Sequence, residues 1–250
     1  MRRDELTACL DQLLQPGRFK DYCPNGLQVE GREEVRKLAV AVSASLEAIG
    51  QALDAGADAL IVHHGWFWRG EDVRILAARR ARIALALEGN LNLYGFHLPL
   101  DAHPELGNNA QLARRMGWHE EGRAGEQDLL CHGRPAESVT LDQLARRLTE
   151  TLGRPAMLIP GSDGVQQIRR LAWCSGGAQD YFHDAIALGV DAFVTGEASE
   201  WNYHAARESG VAFIAAGHHA TERYGVQAVG EYLESRFGLD CRFLDSANPI

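Results

Sequence analysis

The sequence predicts an α/β fold of two similar α/β lobes, and three observations predict it. Short apolar runs of strand length alternate with stretches of helical period along the chain. One run, Ala59-Leu60-Ile61-Val62, stops on His63-His64-Gly65. Ligands and metals gather at the carboxyl ends of strands in open α/β sheets, so this is where a site is expected. Finally, the alternation restarts near residue 123, with residues in the second half that echo the first.

Taken in order, apolar residues at helical spacing over 4–14 predict a helix, ended by Pro16-Gly17. Asn25-Gly26, within Asp21-Tyr22-Cys23-Pro24-Asn25-Gly26-Leu27-Gln28-Val29, predicts a turn. A strand over 38–43, a helix over 46–55 and the strand before His63 follow. Trp66-Phe67-Trp68-Arg69-Gly70 is an aromatic loop. A helix over 72–87, a strand over 91–96, a turn with Pro99 and Pro104 and a helix over 107–116 complete the first lobe. Beyond 123 the pattern predicts strands at 128–132, 156–159, 171–174, 192–195, 211–215 and 241–244. Helices are expected over 140–152 and near 179–188, 199–208 and 220–236, and Gly161-Ser162-Asp163-Gly164 reads as a turn. The lobes are placed at 1–122 and 123–250, with the C-terminal helix free to pack back on the first.

Composition narrows the function. With 250 residues, 46% hydrophobic and 24% charged, the chain reads as a globular protein. No run of 18 apolar residues predicts a membrane helix, and Met1-Arg2-Arg3-Asp4-Glu5 does not open a signal peptide. Five scattered cysteines without a CxxC pair, Cys9, Cys23, Cys131, Cys174 and Cys241, indicate neither a disulfide framework nor a thiolate zinc site. Buried or half-buried thiols in a reducing cytoplasm are the expectation. A formal charge of −9 disfavours broad attraction to nucleic acid or anionic membranes, while leaving room for a nucleotide in a local pocket. P-loop, Rossmann and nucleophile-elbow motifs are absent from the sequence.

The repeat selects the candidate residues. Arg36-Lys37-Leu38-Ala39 returns 133 residues later as Arg169-Arg170-Leu171-Ala172. At the same offset Ala52, Gly56, Asp58 and Ala59 meet Ala185, Gly189, Asp191 and Ala192. The strand that follows ends at His63-His64 in one copy and Gly196-Glu197 in the other. Further on, at an offset of 121, His97 and Asp101 fall on His218 and Glu222. Each copy therefore offers His-x3-carboxylate just past a strand.

Imidazoles and carboxylates without thiolates suit zinc, iron, manganese or nickel. A carboxylate can bridge two cations, which favours a dinuclear site that activates water. His97 and Glu197 fit ligation, orientation or proton transfer, and we assign them to catalysis. His218 is preferred over His219 because the register selects it. His119, His132, His183 and His204 read as hydrogen-bonded core residues, and His103 as exposed loop. Trp66, Phe67 and Trp68 could stack a base or pack a core or interface, and packing is the preferred reading.

These motifs together resemble the NIF-three-like family, also known as GTP cyclohydrolase 1 type 2 homologs. The residues that carry the resemblance are Asn25-Gly26-Leu27-Gln28-Val29, His63-His64-Gly65, His97 with Asp101, Thr195-Gly196-Glu197 and Gly217-His218-His219-Ala220-Thr221-Glu222. It runs along nearly the whole chain and matches the short bacterial form. The resemblance implies two α/β lobes with a dinuclear metal site between them, in a ring-shaped homohexamer. It implies the metal ligands His63, His64, Asp101, His218 and Glu222, with Glu222 as the bridge, and places His97 and Glu197 in the site lining. Leu98-Pro99-Leu100 departs from the more polar family pattern, which bears on substrate contacts. The implied reaction is metal-dependent hydrolysis of a nucleotide or related small phosphorylated compound. The alternative is a non-catalytic metal-binding or regulatory ring that binds a protein partner.

Overall fold

The computed structural model describes residues 1–164 and 166–250. The chain divides into two units. One comprises Met1–Gly107 and Arg223–Ala247, the other Asn108–Glu222 and Asn248–Ile250.

The chain opens with α1 (Arg3–Leu14), β1 (Gly26–Val29), β2 (Lys37–Ser43), α2 (Leu46–Asp54) and β3 (Ala59–His64). Next come α3 (Ala77–Glu88), β4 (Asn92–Gly95) and the short α4 (Leu98–Ala102). The second unit begins with α5 (Asn108–Met116), β5 (Trp118–Ala124), β6 (Leu130–Pro135), β7 (Val139–Thr140) and α6 (Leu141–Leu152). It continues through β8 (Met157–Ile159), β9 (Gln167–Ile168), β10 (Leu171–Trp173), α7 (Phe182–Ala187), β11 (Ala192–Thr195), α8 (Glu200–Ser209) and β12 (Ala212–Ala215). Helix α9 (His218–Phe237) and β13 (Asp240–Phe243) end the regular structure.

In the first unit the sheet order is β1-β4-β3-β2-β13, with every neighbouring pair parallel except antiparallel β1 and β4. Side chains alternate across the sheet because successive Cβ atoms point to opposite faces. Leu38, Val40, Val42, Ala59 and Ile61 join Leu6, Leu10, Val226, Val229 and Leu233 in one core. Ala39, Ala41, Leu60 and Val62 meet Ile49, Ala52 and Trp66 in the other. This three-layer packing explains why β2 and β3 are apolar at nearly every position.

The second unit has the order β5-β6-β10-β11-β12-β8. Strands β10, β11 and β12 are parallel, and β8 lies antiparallel against β12 as β1 does against β4. The register repeats as well: Leu38 lies opposite Ala59 in β2/β3, and Leu171 opposite Ala192 in β10/β11. One carboxylate in each unit secures the start of two neighbouring strands. Asp58 Oδ2 accepts from the backbone N–H groups of Arg36 (2.9 Å) and Lys37 (3.0 Å). Asp191 Oδ2 accepts from those of Arg169 (2.7 Å) and Arg170 (2.8 Å). The Gly-x-Asp-Ala match in the sequence thus has a physical basis, a side chain standing in for a missing ladder partner.

Several expectations need correction. The helix expected over 72–87 begins at Ala77, because Asp72 captures the Arg74 backbone N–H and guanidinium, and β-branched Val73 and Ile75 disfavour the helix. The turn expected at Pro99 is the helix α4, since a proline in the first turn has no N–H to lose. Strand β5 was not foreseen; His119, Glu120 and Glu121 are exposed on an edge strand and give no apolar alternation. Among the histidines read as core, His119, His183 and His204 are exposed and His132 is half-buried. His183 stacks on Trp201 and His204 pairs with Glu200, so surface partners satisfy them.

Cys131 and Cys174 are buried and the other three cysteines half-buried, as expected. Among the described residues, no helix is long and apolar enough to cross a membrane.

Burial by itself would raise the Asp58 carboxyl, but the N–H donors of Arg36 and Lys37 and the Arg32 guanidinium outweigh it and bring it below 3.8. The stabilisation is therefore present above the ordinary carboxylate range and lost as pH falls through the lowered value. Asp58→Ala is expected to cost about 1–3 kcal/mol in urea unfolding at neutral pH, from two backbone N–H groups that lose their charged acceptor. The deficit relative to the native chain should shrink as pH falls from the ordinary carboxylate range through the lowered value. A constant deficit across that range would contradict the assignment.

Candidate metal centre

The carboxyl end of β3 delivers His63 and His64 side by side. His63 is fully buried, and His64 is half-buried beside it with ring centroids 4.5 Å apart. Past β4, His97 and α4 follow. The Asp101 N–H donates to the His97 carbonyl at 3.2 Å, so His-x3-Asp spans one helical turn and puts both residues at the same strand ends. His63 Nε2 stands 3.5 Å from Asp101 Oδ1. His63, His64 and His97 each bring a ring nitrogen within 4.8 Å of the others.

In the second unit the carboxyl end of β11 leads to Glu197, and that of β12 to the first turn of α9, which begins at His218 rather than near 220. His218 Nε2 lies 3.1 Å from Glu222 Oε2, and its Nδ1 lies 2.5 Å from Glu197 Oε1. Glu222 is buried and His219, beside His218, is buried as well. Burial alone would lower the His218 pKa, but the two carboxylates outweigh it and push it up to about 9. Carboxylates that hold a proton on an imidazole at neutral pH form a donor set suited to a divalent cation.

The four histidines share one feature. Each has Nδ1 engaged by an outer partner: His63 by the Phe96 carbonyl (3.0 Å), His64 by Ser43 Oγ (3.1 Å), His97 by Asp21 Oδ1 (2.7 Å) and His218 by Glu197. A carbonyl or carboxylate can only accept, so in three of the four a proton sits on Nδ1. Nε2 is then the nitrogen left to face a ligand in the neutral ring, an arrangement in which outer hydrogen bonds orient metal-binding imidazoles. The donors present therefore fit a divalent metal. The geometry also refines Glu197, whose contact is with the far side of His218; it orients that ring.

Several supporting residues escaped the sequence reading. Asp21 was read only as part of a turn, yet its side chain is almost fully buried against His97. Burial would raise its pKa, but hydrogen bonds from His97 and Asn25, the charge of His97 and the Leu98 N–H bring it down to about 2. Gln28 holds the aromatic loop: its Oε1 accepts from the Trp66 N–H at 2.7 Å and its Nε2 donates to the Pro24 carbonyl at 2.8 Å. A Cβ on Gly65 would meet Gln28 at 2.3 Å, which explains the glycine after His64. The aromatic loop divides its labour. Trp66 is core and donates to the Ala44 carbonyl, Phe67 is exposed, and Trp68 meets the edge of His97 at 4.8 Å. His103 is half-buried and caps the turn after α4 by accepting from the Glu105 and Leu106 N–H groups.

Gly176, just past β10, was also overlooked. It has φ +71°, and a Cβ there would fall 2.0 Å from Glu222 Oε1 and 3.1 Å from His218 Nε2. The Gly-Gly pair two residues past the end of a strand was the available signal. Gly176→Ala is expected to destabilise by about 1–2 kcal/mol from the left-handed backbone alone, and to displace the Glu222 carboxylate. Gly177→Ala, whose Cβ would have ordinary contacts of 3.4 Å or more, should unfold like the native chain in urea. Equal midpoints for the two variants would refute this account.

The model of the family Duf34/NIF3 (NGG1p interacting factor 3) matches residues 1–249. A relative from Neisseria meningitidis serogroup A, named GTP cyclohydrolase 1 type 2 homolog, is 51% identical over 249 residues, covering 100% of this chain and 99% of the relative. A Pseudomonas aeruginosa relative of the same name is 48% identical over 242 residues, covering 96% of this chain and 95% of its own. A solved structure of the protein ybgI, described as of unknown function, superposes with a TM-score of 0.96 at 46% identity over 100% of both chains. With histidines and carboxylates gathered at the strand ends of each unit and likeness along its full length, the chain belongs to the DUF34/NIF3 family.

Proposed function

We propose that the protein is a dinuclear-metal-dependent hydrolase of a nucleotide or related small phosphorylated compound. The observation that carries this reading is the Nδ1 engagement of all four candidate histidines, which leaves Nε2 of His63, His64 and His218 for ligation and that of His97 for proton transfer. The proposed ligands are His63, His64, Asp101, His218 and Glu222, with Glu222 as the bridge, drawn from two similar lobes. Two divalent ions there, zinc, iron, manganese or nickel, would supply the positive charge that activates water and stabilises the attacked group. Glu197 holds the His218 ring. His97, with its ring centroid 5.2 Å from that of His63 and 5.9 Å from that of His64, is the proton acceptor, and Trp68 limits the freedom of its ring. The relatives' name points to opening of a guanine imidazole ring, which is hydrolysis of this class.

Elemental analysis of the purified protein is expected to find about two metal ions per chain, and a large loss in His64→Ala and Glu222→Ala. Turnover across nucleotides and small phosphorylated compounds should vanish on chelation and return on reloading. Turnover indifferent to metal removal would overturn the reading.

A second feature favours self-association. Val73, Ile75 and Leu76 are 83%, 53% and 56% exposed on the stretch before α3, apolar surface suited to a protein interface. We propose a cytoplasmic homohexameric ring. Light scattering should give the mass of six chains, and a monomeric mass would refute it. Metal-dependent recovery of a different protein, with no turnover, would instead favour the regulatory ring.

A further inference from the structure

Asp21 makes more hydrogen bonds than a turn requires. Its Oδ1 accepts from the Tyr22 N–H (2.6 Å) and His97 Nδ1 (2.7 Å), and its Oδ2 from Asn25 Nδ2 (2.8 Å) and the Leu98 N–H (3.0 Å). Two donors on each oxygen prevent the carboxylate from turning. Asn25 in turn accepts the His97 N–H through Oδ1 at 2.7 Å, so one loop holds both the backbone and the ring of His97. Trp68 closes the side of the ring with an edge contact at 77° between planes.

Asp21, Cys23 and His97 also lie close enough to suggest a metal group of their own. The hydrogen bonds argue against it. Both Asp21 oxygens are already committed to donors. The cluster is built to hold a ring.

We propose that Asp21 is the positioning residue of His97, fixing its proton on Nδ1 so that Nε2 remains a bare acceptor beside His63 and His64. A carboxylate behind a histidine is how a ring is kept in the tautomer that can take a proton. The catalytic consequence rests on the hydrolase reading. The attacking water forms its bond to the substrate's electrophilic atom and gives a proton to His97 Nε2. The departing group takes that proton as its bond to the same atom breaks, which returns His97 to its starting state.

The test has two readouts. The full chain is labelled with ¹⁵N-histidine and its ring nitrogens are recorded above neutral pH, both metal-free and zinc-loaded, with His97→Gln to assign the signals. The native chain should show His97 protonated at Nδ1 and bare at Nε2, and Asp21→Asn should move the proton partly to Nε2. A native His97 with its proton on Nε2, or signals unchanged in Asp21→Asn, would overturn the proposal. The native spectrum decides this even if the variant does not fold. In turnover, Asp21→Asn should lower kcat roughly 100-fold, with KM within about twofold and zinc content unchanged. An unchanged kcat overturns the catalytic part. A native enzyme that turns over no substrate overturns the hydrolase reading instead, and the nitrogen spectrum then still decides what Asp21 does.

Discussion

The hydrogen bond to imidazole Nδ1 is the interaction on which the candidate centre depends. An imidazole can present either nitrogen, and a site built from several of them is defined only when the choice is made for each ring. Here the choices are made by groups of different kinds: a strand-end carbonyl for His63, a hydroxyl from the neighbouring strand for His64, and carboxylates for His97 and His218. The sheet supplies the first two at little cost, because Phe96 and Ser43 lie at the ends of β4 and β2, on either side of β3. The carboxylates come from loops, whose placement depends on the rest of the packing.

Much of the fold was legible because its signals are local. Apolar runs of four to seven residues between amphipathic helices marked the parallel strands, and Gly-x-Asp-Ala marked the repeated turn whose carboxylate secures two strand starts. What could not be read was set by contacts distant in sequence or by exposure. Strand β5 carries polar residues at a sheet edge, and the start of α3 depends on a local competition at Asp72 that periodicity does not register. Histidine identity alone did not separate core from surface. Four rings read as buried found partners or solvent outside the core, whereas His63 was identified by where it lies on its strand.

The candidate site was legible to the same extent. The register of the repeat picked out His97 with Asp101 and His218 with Glu222, since each pair is a single helical turn past a strand. It could not pick out Asp21, which is 76 residues from His97 and sits in a stretch whose strongest signal was a turn. Gly176 was equally hidden, because its importance comes from an approach of Glu222 that no spacing rule encodes. Spacing selects the candidate donors. Their supports are known only once the chain is folded.

The aromatic loop carries a consequence of a different kind. Trp66 is anchored in the core and Trp68 lies against His97, so Phe67 between them adopts φ +67°, a left-handed backbone that a bulky residue rarely occupies. The strain falls on one exposed residue, between a neighbour anchored in the core and another packed on His97. A glycine at 67 would relieve it and strengthen the fold, yet it would also free the backbone that presses Trp68 onto the His97 edge. Stability and the fixed orientation of that ring are therefore opposed at a single side chain, and selection for thermal tolerance would be expected to act against the phenylalanine.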